Sequence, residues 1–91
     1  MNEVTFRVML ASQGFPEPTI AERDANLVTT DHSHEFSVSA LVLDGEISVV
    51  TATGTTTTCR SGDTFTLASG TVHHEEYGAQ GARVLSSKRV P

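Results

Sequence analysis

A single cysteine among 91 residues, Cys59, leaves no partner for an internal disulfide. The fold must then rest on its own core, with a metal ion or a second subunit as the available help. Basic residues are also scarce. Six Lys and Arg stand against eleven Asp and Glu, a formal charge of -5 and a pI near 5.1, so phosphate backbones and anionic lipid would repel the chain. Nucleic acid is excluded as an expected partner. No apolar run approaches the roughly 20 residues of a membrane span, and Glu3 and Arg7 interrupt the N-terminal stretch where a signal peptide would be apolar. A cytoplasmic chain with no membrane partner is expected. Hydrophobic residues make up only 37%, low for a core of this size yet above the range of disorder. Ninety-one residues suffice for one core, giving a single domain over 1–91.

Helical periodicity is missing as well: no window longer than a few residues spaces its apolar side chains at i, i+3, i+4 and i+7. Thirteen threonines and ten valines, 23 of 91 residues, are β-branched and suit a pleated surface. Val4 to Val8 and Phe36 to Ala40 alternate with period two. Turn chemistry at Gly14–Pro18, Asp24–Asn26, Asp44-Gly45, Thr53-Gly54, Ser61–Asp63, Ser69-Gly70 and Gly78–Gly81 cuts the chain into short pieces. The expected strands are Val4–Met9, Thr19–Arg23, Leu27–His32, Ser37–Leu43, Glu46–Ala52, Thr55–Arg60, Asp63–Leu67, Val72–Tyr77 and Ala82–Lys88. No helix is expected beyond a turn near Leu10–Gly14. Short strands at regular spacing in one domain imply an all-β sandwich or barrel built from hairpins.

His32 and His34 stand two apart in strand-like sequence, which projects both imidazoles from one face. A barrel can bring His73 across to them. Three converging neutral imidazoles suit one divalent transition metal ion, Zn, Fe, Ni, Mn or Cu, with further positions open to water or substrate.

The pattern His32-Ser33-His34, then Gly45 eleven positions on, followed by Gly62-Asp63, Gly70 and His73, resembles the paired motifs of the cupin superfamily. The resemblance covers residues 31–78 and implies a small antiparallel jelly-roll β-barrel. It also implies a metal at His32, His34 and His73. Two positions depart from the family pattern. Val38 stands where the family's metal-binding glutamate falls, and Ala68 stands where a turn proline falls. Without that carboxylate, a divalent ion on three neutral histidines keeps a charge near +2, which would hold anionic ligands better and acidify bound water.

If His73 faces inward, strand parity turns Glu75 and Tyr77 inward too. Glu75 is the acid/base candidate, since burial disfavours and a nearby cation favours its charged form; as an alternative it replaces the missing carboxylate as a ligand. Tyr77 either donates its hydroxyl to a bound ligand or covers the barrel mouth with its ring. By the same parity His74 and Glu35 face outward, Cys59 is an inert core thiol, and Phe36 and Val38 form an apolar wall. Small cupins generally pair through sheets, and a free Val4–Met9 edge strand would need covering, so a homodimer is expected. The expected function is a metal-binding cupin that acts on or holds a small oxygen-bearing or anionic metabolite, as a dioxygenase or isomerase. The alternatives are a non-catalytic binding barrel and a metal-stapled structural protein.

Overall fold

Asn2 sets the first element. The computed structural model describes residues 1–91, and its N-terminal segment is an α-helix, α1, Glu3–Ser12. This corrects the expected strand over Val4–Met9. The Asn2 side chain accepts a hydrogen bond from Thr5 N–H at 2.8 Å, Glu3 lies in the first turn, and Phe6 and Leu10, four apart, are fully buried. Cap and i, i+4 pair outweigh the two-residue alternation, because Val4 and Val8 are exposed and need no buried face. The case for a dimer built on a free Val4–Met9 edge falls with that strand.

Five strands follow: β1 Thr19–Arg23, β2 Ser37–Thr51, β3 Thr56–Arg60, β4 Thr64–Leu67 and β5 His73–Arg89. They form one antiparallel sheet in the order β1-β5-β2-β3, with β4 also pairing β2. The turn at Gly54 closes the β2–β3 hairpin as expected, whereas the turn at Gly62 interrupts one run along β2: β3 and β4 pair in succession with β2 and not with each other. Where four strands were expected around Asp44-Gly45 and Gly78–Gly81, there are two long ones. β2 and β5 run through these positions and bend there, with register shifts at Val42/Asp44 and Gly45/Ile47. Bulges bend a strand without ending it. Leu27–His32 is likewise not a strand. It lies beside β5 through isolated bridges, Val28 to Glu76 and His32 to His73.

The bend curls the sheet and gives β2 and β5 two apolar faces. Ala40, Val42, Ile47, Val49, Cys59, Tyr77, Ala82 and Val84 form the inner core. Leu41 and Leu85 face the other way and pack under Phe6 and Leu10 of α1. Ser87 Oγ donates to Pro16 O at 2.6 Å, and Arg89 binds Gln13 O, tying the helix exit to β5.

Candidate metal centre

The segment 27–32 sets the centre against the first turns of β5. His32 and His73 exchange both backbone hydrogen bonds, at 2.8 and 2.9 Å, and Thr29 N–H donates to Glu75 O at 3.0 Å. His32 therefore stands opposite His73, and His34 lies two residues on. Their ring centroids are 4.4 Å (His32–His73), 5.0 Å (His32–His34) and 5.6 Å (His34–His73) apart. One ligating nitrogen from each lies within 4.8 Å of the others, so the group can hold a metal ion.

Backbone carbonyls set two of the tautomers. His32 Nδ1 donates to Thr30 O at 2.7 Å, and His73 Nδ1 donates to Thr71 O at 2.9 Å. Each neutral ring then carries its lone pair on Nε2. His73 is 1% exposed and its Nε2 has no hydrogen-bond partner. An unpartnered buried acceptor costs about 1–3 kcal/mol, and a cation at this point would remove that cost. His34 stacks on Phe36, centroids 4.7 Å apart. Burial, then the charges of His32 and His73, hold its pKa below the usual histidine range, which favours the neutral, ligating form.

Glu75 faces inward. Its carboxylate lies 3.4 Å from His32 Nε2 and 3.8 Å from His73 Nε2. The Thr29 hydroxyl holds it from behind, accepting from Glu75 N–H and donating to Oε2, both at 2.9 Å. Val38 also lines the cavity but offers no ligand atom. A carboxylate thus reaches the histidines from β5, where the cupin pattern would supply one from β2. Histidine lone pairs converging with a carboxylate are a donor set that fits a divalent transition ion.

Tyr77 is 8% exposed and belongs to the inner core, which corrects the rim position given as one reading. The chain at Leu27, bonded through its carbonyl to Tyr77 N–H, covers it. Burial, and then Glu75, push its hydroxyl pKa up, with Arg23 opposing. His74 faces out as expected. It bonds Glu76 Oε2 at 2.8 Å and Asp31 Oδ1 at 3.2 Å, and the Glu76 bond raises its pKa against the opposing effect of burial, with Asp31 adding to the rise. Cys59 is buried, and burial pushes its thiol pKa up. Glu35 is exposed, whereas Phe36 and Val38 line the cavity as expected.

The centre opens into a cavity of about 250 Å³. Arg23, Thr29 and Lys88 also line it, and sequence reasoning passed over all three. Strand parity held a signal for two of them: Arg23 shares a face with Ala21, and Lys88 shares one with Val84 and Ser86. Thr29 has no such signal, because its segment forms no regular strand.

No protein-family model and no curated protein sequence matches the chain. Solved structures do. The chain resembles the cupin domain of Cnp3 from Schizosaccharomyces pombe, with TM-score 0.71, 18% identity, and coverage of 84% of this chain and 55% of that one. It therefore spans little more than half of that relative. KdgF from Halomonas sp. is similar at TM-score 0.69 and 22% identity, covering 84% of this chain and 71% of that one. A DUF861 family protein from Thermotoga maritima is similar at TM-score 0.68 and 18% identity, covering 93% and 90%. Sheet order, inward histidines and these likenesses agree: the chain has the cupin fold.

Proposed function

We propose that the chain is a metal-binding cupin whose His32, His34, His73 and Glu75 hold one divalent transition ion, and that the cavity beside it takes a small metabolite bearing oxygen donors. The unpartnered, buried His73 Nε2, facing two further imidazoles and a carboxylate, carries this reading. A bound ion would supply Lewis acidity, polarising an oxygen of the ligand. The chain's own residues do the remainder. Thr29 fixes the Glu75 carboxylate, the carbonyls of Thr30 and Thr71 fix the ring orientations, and Val38, Phe65 and Leu67 limit water at the centre. Tyr77 remains a phenol at neutral pH, so it presents an O–H donor to the cavity.

A binding role has one observation in its favour: Glu75 is the only carboxylate lining the cavity, and the Thr29 hydroxyl already holds it. A catalytic role as an isomerase or dioxygenase would have Glu75 exchange a proton with the ligand in addition. The fold serves an enzyme elsewhere, as in the DMSP lyase DddQ of Ruegeria pomeroyi, similar at TM-score 0.70 over 77% of this chain and 36% of that one. Equilibrium dialysis against zinc tests the four-residue centre. His73→Ala should abolish tight binding, while Glu75→Gln and Thr29→Val should each weaken it by about 10–100-fold. Unchanged affinity in Glu75→Gln would remove the carboxylate from the ligand set.

A further inference from the structure

The cations of this acidic chain are mostly spoken for. Arg7 pairs with Glu3 and Glu17, Arg60 with Glu46, and Arg83 with Glu22. Arg89 is held by the Gln13 carbonyl and lies over the Phe15 ring. Two cations lack a carboxylate partner, Arg23 and Lys88, and both line the cavity. Eleven carboxylates against six cations make two unpaired cations at one cavity an uneven placement of charge. Arg23 donates to the Glu22 carbonyl at 3.3 Å and lies close enough to Tyr77 to oppose the rise in its hydroxyl pKa. The Lys88 ammonium lies 5.0 Å from the Phe36 ring, whose other contact is the stack on His34.

We infer that the ligand of this cavity is a small organic carboxylate with an apolar body, and that Lys88 and Arg23 select it by its charge. Glu75, the one carboxylate at the cavity, has its Oε2 held by the Thr29 hydroxyl, so the two cations outnumber it among the charged groups that line the cavity. Part of the cavity wall is apolar, including Val38, Phe65 and Leu67. A cationic group at a partly enclosed apolar site holds an anion more strongly than it would in open solvent, and it does little for a neutral isostere. The net charge of the chain, -5, works against anion binding, so an anion held here would owe its affinity to the cations at the site. The inference rests on the reading of this cavity as the ligand site, and it does not require the metal ion.

Calorimetric titration with benzoate, phenylacetate and 4-phenylbutanoate, each beside its primary amide and beside inorganic phosphate, tests the inference on zinc-loaded and EDTA-stripped protein. At least one acid should saturate in both forms, with its amide and phosphate about tenfold weaker or worse. Lys88→Met, which keeps an aliphatic side chain but removes the ammonium, and Arg23→Met should each weaken the acid by about tenfold and leave the amide unchanged. Both side chains are exposed, and equal thermal melts would show that the fold is intact. The inference is overturned if no acid saturates, if amide or phosphate binds as well as the acid, or if both variants bind like wild type. Acid binding that vanishes on stripping and ignores both variants also overturns it, while leaving the metal reading in place. Acid binding that depends on Lys88 and Arg23 in protein that takes up no zinc keeps the inference and removes the metal reading.

Discussion

Glu75 and Thr29 show what single residues contribute at this centre. A carboxylate absent from the position four after His34 is supplied two after His73, and a threonine hydroxyl bonded to both its backbone and its side chain sets its direction. The inward turn of Glu75 was legible from strand parity alone, since residues i and i+2 share a face. Its clamp by Thr29 was not, because that contact spans 46 residues and depends on an irregular segment pairing with β5. On the opposite face of β5, His74 between Asp31 and Glu76 makes a separate contribution. Its pKa in the folded chain is raised, so its stabilisation is fully present below the unfolded value of about 6.5 and is lost as pH rises through the folded value. Urea unfolding in EDTA should accordingly show His74→Gln less stable than wild type at pH 5.5, with the gap closing at pH 9. A gap independent of pH would show that the two ion pairs do not act through the charge of the imidazole.

Among the elements, α1 and the two long strands mark where sequence periodicity misleads. Val4-Thr5-Phe6-Arg7-Val8 alternates, yet Asn2 as cap and the Phe6–Leu10 pair make it a helix lying on the outer face of β2 and β5. Asp44-Gly45 has the composition of a turn, yet β2 continues through it as a bulge. Gly45 has φ +80°, and a Cβ there would stand 2.1 Å from Gly81 O and 2.8 Å from the Ala82 Cα. Two bent strands pass at that point with no room for a side chain. Gly45→Ala should therefore cost about 1–3 kcal/mol from backbone strain, with the backbone clash adding to it. Chemical denaturation measures the loss. By contrast Gly54, with φ +94° and open space around its Cβ position, should lose only the conformational part. Equal losses at the two positions would mean that the crossing at Gly45 is not tightly packed.

For the whole molecule, the jelly roll was legible because its marks are local: β-branched composition, glycine turns at Gly54 and Gly62, and histidines at motif spacing. The cavity wall was less so, since β1, β2, β4 and β5 supply it together and no local pattern records which of their polar residues meet. A core of this modest size is also one in which a bound ion should register strongly. An ion at a hundred times its dissociation constant adds about 2.7 kcal/mol, and for a chain of this length that raises the melting temperature by about 10 °C or more. The most direct measurement of the central claim is metal content by elemental mass spectrometry. It compares protein purified without tag or chelator with a His32→Ala/His34→Ala double variant, both before and after reconstitution with zinc, iron, nickel or manganese. About one equivalent in wild type and none in the double variant is the predicted result. Equal, negligible metal in both after reconstitution would contradict it, leaving a barrel that binds its ligand without an ion.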